Sequence, residues 1–63
     1  MRFLRERRRQ LGLKQSDVAK ETGVSPAAVS EWEREKNQPG VTVIPRLAKA
    51  LKMPVARLTG KLR

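Results

Sequence analysis

Residues Gln15 to Arg34, QSDVAKETGVSPAAVSEWER, divide into two short helices around Gly23. A helix from about Gln15 to Thr22 must stop at Gly23, where a left-handed backbone carries no Cβ penalty. A second helix restarts at Pro26 and runs to about Arg34. Ser25 can accept from the free amides of its first turn, and Pro26 suits a first helical position that needs no donor. Val24 before the cap and Val29 at the fourth helical position have the spacing of a hydrophobic staple. Ala19, four residues before Gly23, is small enough for the two helices to approach closely.

Working outward, the pattern predicts three more helices and no strand. A first helix spans about Arg2 to Leu11, with Leu4, Arg8 and Leu11 along one stripe and Gly12 as its stop. Arg2, Arg5, Arg7 and Arg9 spread around the rest. A polar loop from Glu35 to Val41 carries the turn signal Pro39-Gly40. A fourth helix starts near Thr42, which could cap it, tolerates Pro45 in its first turn, and buries Val43, Ile44, Leu47, Ala48 and Leu51. A short fifth runs from Pro54 to about Thr59. The expected fold is an all-α, compact five-helix bundle, one domain over residues 1–63. Its central pair has the helix-turn-helix arrangement that reads DNA.

Composition narrows the function. Fifteen Lys and Arg against six acids give a formal net charge of +9 in 63 residues. All six acids lie within the first 35 residues, and from Lys36 onward the only charges are Lys36, Arg46, Lys49, Lys52, Arg57, Lys61 and Arg63. A polyanion is the expected partner. The alternatives are a basic surface kept for solubility and an anionic membrane, which no strongly basic, broadly apolar helix supports. With no His and no Cys, no metal site, disulfide, cofactor or catalytic constellation is expected, so the chain is read as no enzyme. No apolar stretch approaches the roughly 20 residues of a membrane span. A core this small is marginal and points to self-association.

Within the second helix of the pair, Val29, Trp32 and Glu33 share the inner face, which makes Trp32 a core anchor rather than a base-stacking platform. A carboxylate there needs a partner. Arg8 lies on an inner stripe of its own, so an Arg8–Glu33 ion pair is expected, the alternative being a half-exposed Glu33. The outer face carries Ala27, Ser30, Glu31 and Arg34. Ala27 offers a methyl to a thymine methyl, Ser30 can donate or accept, Glu31 can accept from cytosine N4, and Arg34 reaches a phosphate or guanine. The plain alternative is a solvated face with a Glu31–Arg34 pair. Gln15 and Ser16, at a helix tip, present an amide, a hydroxyl and free backbone amides to a phosphate.

Taken together, Arg8, Leu11 to Gln15 (LGLKQ), Val18-Ala19, Gly23 to Ser25, Trp32-Glu33, Pro39, Ile44 to Leu51 (IPRLAKAL) and Leu58 resemble the DNA-binding domain of phage lambda-type repressors and Cro proteins. This is the helix-turn-helix family also called xenobiotic-response-element-like. The resemblance implies a repressor or Cro-like regulator whose recognition helix, about residues 26–34, enters the major groove of double-stranded DNA. It implies a homodimer, at least on DNA, on a near-palindromic operator, with no small-molecule ligand. It places phosphate contacts at Gln15 and around Arg34 to Asn37, including Lys36. Base readers fall on Pro26, Ala27, Ser30 and Glu31, with Ser25 beside them. Val41, Val55 and Leu58 are expected near the two-fold axis. The setting implied is the prokaryotic cytoplasm, at the nucleoid or in a phage-infected cell. An antitoxin-like or adaptor module using the same fold to bind protein is the alternative. Several positions depart from the family pattern: Pro26-Ala27-Ala28 stands where polar readers are common, Lys14 where a hydroxyl caps, Thr22 where an apolar residue is common, and Pro54 and Arg57 in the last helix.

Overall fold

Each helix in this chain is short, and its ends are set by identifiable local chemistry. The computed structural model describes residues 2–60; Met1, Lys61, Leu62 and Arg63 lie outside the described residues, and with them the last two cations of the basic run. Among the described residues the chain forms α1 (Arg2–Gln10), α2 (Gln15–Thr22), α3 (Pro26–Glu33), α4 (Ile44–Ala50) and α5 (Val55–Gly60), and no strand.

The α2–α3 turn is built at Gly23, whose φ of 76° and ψ of 23° are left-handed. The amides of Gly23 and Val24 both donate to the Ala19 carbonyl, at 2.8 and 3.0 Å, and so satisfy the end of α2. The Ser25 hydroxyl then accepts from the Ala28 amide at 3.2 Å, with Pro26 next to it at the start of α3. Thr22, fully enclosed at 2 % exposure, spends its hydroxyl on the carbonyls of Val18 (2.7 Å) and Ala19 (3.2 Å). That explains how a polar side chain fits in the interior.

At the start of α2, Lys14 occupies the cap with an extended backbone and no side-chain acceptor. Only the reverse contact forms, the Asp17 carboxylate accepting from the Lys14 amide at 2.8 Å. Lys14 is exposed, and its backbone already has cap geometry. Lys14→Ser should therefore stabilise the domain by about 1 kcal/mol. In a domain this size that raises the thermal midpoint by about 4–8 °C. An unchanged or lower midpoint in a melting experiment would count against this account of the cap.

Two expectations need correction. Thr42 does not cap α4: the helix begins two residues later, after Val43, which offers no side-chain cap. Of the two amides that a threonine there would have served, that of Ile44 already donates to the Val41 carbonyl at 3.3 Å, and Pro45 has none to give. Pro45 does fall in the first turn of α4. Leu58 is 0 % exposed and belongs to the core, so its side chain has no surface to offer a second copy. Of the two large apolar residues of this short helix, Leu58 faces inward while Val55 stays 43 % exposed.

Leu4, Val18, Val29, Trp32, Leu47, Leu51 and Leu58 form the centre of the core. Helix α2 packs against α3 and α4, α1 against α3, and α5 against α4. Arg7 ties α1 to the end of α4, its Nε donating to the Leu51 carbonyl at 3.0 Å and Nη2 to that of Lys52 at 3.3 Å. The whole measures 24 × 23 × 19 Å. This packing leaves the start of α2, the outer side of α3 and the loop after it together at the surface.

Candidate nucleic-acid interface

The interface is anchored from inside. The Arg8 guanidinium grips Glu33 through two bonds, Nε to Oε2 at 2.7 Å and Nη2 to Oε1 at 3.1 Å. Its third arm, Nη1, donates to the Leu13 carbonyl in the α1–α2 loop at 2.8 Å. The side chains are 12 % and 3 % exposed respectively, so this paired charge is largely removed from water. Such two-pronged pairing has fixed geometry as well as charge. Glu33 also accepts from Gln15 Nε2 at 3.3 Å. One carboxylate thus orients both the α1–α3 packing and the side chain at the tip of α2.

On the outer side of α3, Ser25, Pro26 and Ala27 are exposed, Ser30 and Glu31 are half-exposed, and Arg34 is exposed. Ala28 is half-buried against the core and belongs to the packing instead. Ser16, Lys36 and Asn37 are exposed and Gln15 is half-exposed. The candidate contact residues of α2, α3 and the following loop are thereby presented together, without demanding any of them for the core. Glu31 pairs with Asn37, whose Nδ2 donates to Oε2 at 3.2 Å. Of the residues expected at a two-fold axis, Val41 is 88 % and Val55 43 % exposed. They stand in the loop before α4 and at the start of α5.

A polar cleft of about 260 Å³ runs between α1 and α3, lined by Arg5, Arg8 and Arg9 on one side, Ser30, Glu33 and Arg34 on the other, and Gln15 at its end. Three exposed arginines, Arg5, Arg9 and Arg34, converge there around a carboxylate already neutralised by Arg8. Sequence patterning does not single out Arg5 and Arg9, which look like part of an evenly basic helix. The available signal was their spacing, three residues before Arg8 and one after it, on the flank of the stripe that meets α3. Among the described residues no group of acids could hold a metal ion, and no helix is long and apolar enough to cross a membrane.

A sharp glycine turn, a capped second helix with small and polar side chains outward, and arginines converging beside it define a helix-turn-helix domain. A helix-turn-helix family model matches residues 4–58, and the chain belongs to that family. It is similar to the repressor protein C2 of Salmonella phage P22, 40 % identical over 48 residues, which are 76 % of this chain and 22 % of the relative. The chain thus spans about a fifth of the length of that curated relative. Among solved structures, the P22 c2 repressor in complex with a synthetic operator superposes with a TM-score of 0.82 at 36 % identity, over 89 % of this chain and 85 % of that one. The solution structure of the DNA-binding domain of the same repressor gives 0.83 at 36 % identity, over 89 % and 74 %. The five-helix fold is that of these repressor domains.

Proposed function

We propose that the chain binds double-stranded DNA sequence-specifically and acts as a repressor or Cro-like regulator by occupancy, excluding polymerase without any chemical step. The observation that carries this reading is the surface formed by α3 and its neighbours. Its side chains are free of the core, its size suits a groove about 12 Å wide, and arginines flank it for phosphates. The resemblance to an operator-bound phage repressor supports it. In this reading Pro26, Ala27, Ser30 and Glu31 meet base edges, with Ser25 at the rim. Gln15, Ser16, Arg34, Lys36 and Asn37 hold the backbone, and Arg5 and Arg9 extend that grip from α1. The compartment is the prokaryotic cytoplasm, where DNA is accessible.

Two copies act together. A body about 24 Å across fits beside its twin on half-sites about 34 Å apart, provided each α3 lies to the outside of its own centre. Among the described residues, the exposed Val41 and Val55 are the large apolar side chains available to be covered at the axis.

Selection of bound duplexes from a random pool tests the proposal. The expected result is enrichment of a near-palindrome with half-site centres one helical turn apart, bound by two chains. A pool that yields no preferred sequence would reject sequence-specific binding. A single chain saturating the selected duplex would reject the dimer.

A further inference from the structure

Glu31 is joined to the loop behind α3 twice. The Lys36 amide donates to the Glu31 carbonyl at 2.9 Å, closing a turn in which Glu35 takes a left-handed φ of 60°. Asn37, brought round by that turn, donates from Nδ2 to Glu31 Oε2 at 3.2 Å. A carboxylate has two accepting oxygens and an amide group has two N–H donors. This contact uses one of each, leaving Oε1 and the second N–H unspent by it.

We propose that Asn37 is a positioning residue for Glu31, holding its carboxylate against α3 so that Oε1 meets an exocyclic amino group in the major groove, cytosine N4 first. The proposal rests on α3 being the helix that enters the groove. A carboxylate among phosphates is repelled, and a long side chain without an anchor swings outward, away from the base. The amide removes that freedom and shields one oxygen, while its remaining N–H faces the phosphate backbone. Base preference and backbone grip are then coupled through one hydrogen bond. Gln15 lacks this coupling, because its amide is held by Glu33 on the other side of α3.

The test measures wild type, Asn37→Ala, Glu31→Ala and the double variant against selected operator duplexes changed at each base pair in turn. Glu31→Ala should erase the preference at one cytosine-containing position. Asn37→Ala should lower that same preference about 5-fold or more, and should change it no further once Glu31 is alanine. An equal loss on every duplex, with the ranking intact in both backgrounds, would make Asn37 a phosphate contact only and overturn the proposal while leaving α3 as the reading helix. A ranking unmoved by Glu31→Ala overturns it at its root. The absence of any preferred duplex for wild type removes the α3 reading itself. In the free protein, Glu31→Ala should shift the Asn37 side-chain amide resonances in a nitrogen–proton spectrum whose other peaks certify an intact fold. Unshifted resonances would show that the contact does not exist.

Discussion

Glu33→Ala is expected to destabilise the domain by about 3–5 kcal/mol, because it leaves the Arg8 guanidinium enclosed without its partner. A domain of this length has a total stability of only about 3–9 kcal/mol, so the variant sits at the edge of folding. The loss is compounded, since Gln15 loses its acceptor and the Leu13 carbonyl its well-aimed donor. Chemical denaturation of wild type, Glu33→Ala, Arg8→Ala and the double variant gives the coupling directly. A coupling below about 0.5 kcal/mol would show the two residues to be independent. If Glu33→Ala does not fold at all, Arg8→Met with Glu33→Leu remains informative. An apolar pair of similar volume removes the charge problem from both sides and should refold most of the domain.

DNA affinity should collapse with salt. If a dimer neutralises about 6–10 phosphates, log K falls against log salt with a slope of about −5 to −9. That is a loss of about 10³–10⁵ between 50 and 200 mM salt. The net charge of +9 and the three exposed arginines of the cleft, Arg5, Arg9 and Arg34, underlie the expectation. Arg5→Gln with Arg9→Gln should reduce the slope by about two per chain if both touch phosphates. Binding titrations at four or five salt concentrations measure it, and an affinity flat across that range would mean that phosphates are not the main partner.

The fold could be read from the chain wherever a single residue type decides the backbone. Gly23, Ser25 and Pro26 mark the α2–α3 turn because left-handed φ, an accepting hydroxyl and a missing amide each have few alternatives. The inner faces of α1 and α3 were readable from spacing, which brings Arg8 and Glu33 to positions that the fold then joins. Reading failed where the decision is made by groups far apart or by the backbone alone. The turn from Gly40 to Ile44 satisfies its own amides, so Thr42 has nothing to cap. Leu58 faces inward because α4 covers it, which six residues of helix cannot reveal. Arg5 and Arg9 acquire meaning only when Arg34 arrives opposite them. The pairing of Glu31 with Asn37 depends on a left-handed Glu35, a conformation that glutamate rarely advertises.

The interleaving along α3 has a consequence for how such a protein diverges. Val29, Trp32 and Glu33 are buried, while Pro26, Ala27, Ser30 and Glu31 alternate with them on the same two turns at positions the core does not use. Substitution at 27, 30 or 31 therefore costs little folding energy, and a lineage can explore new binding preferences one residue at a time without passing through unfolded intermediates. Glu33 has no such freedom, because the carboxylate that aims Gln15 also closes the fold through Arg8. Diversification should concentrate on one face of one helix, while the residues that grip the backbone stay put, and an engineer retargeting the domain should search there first.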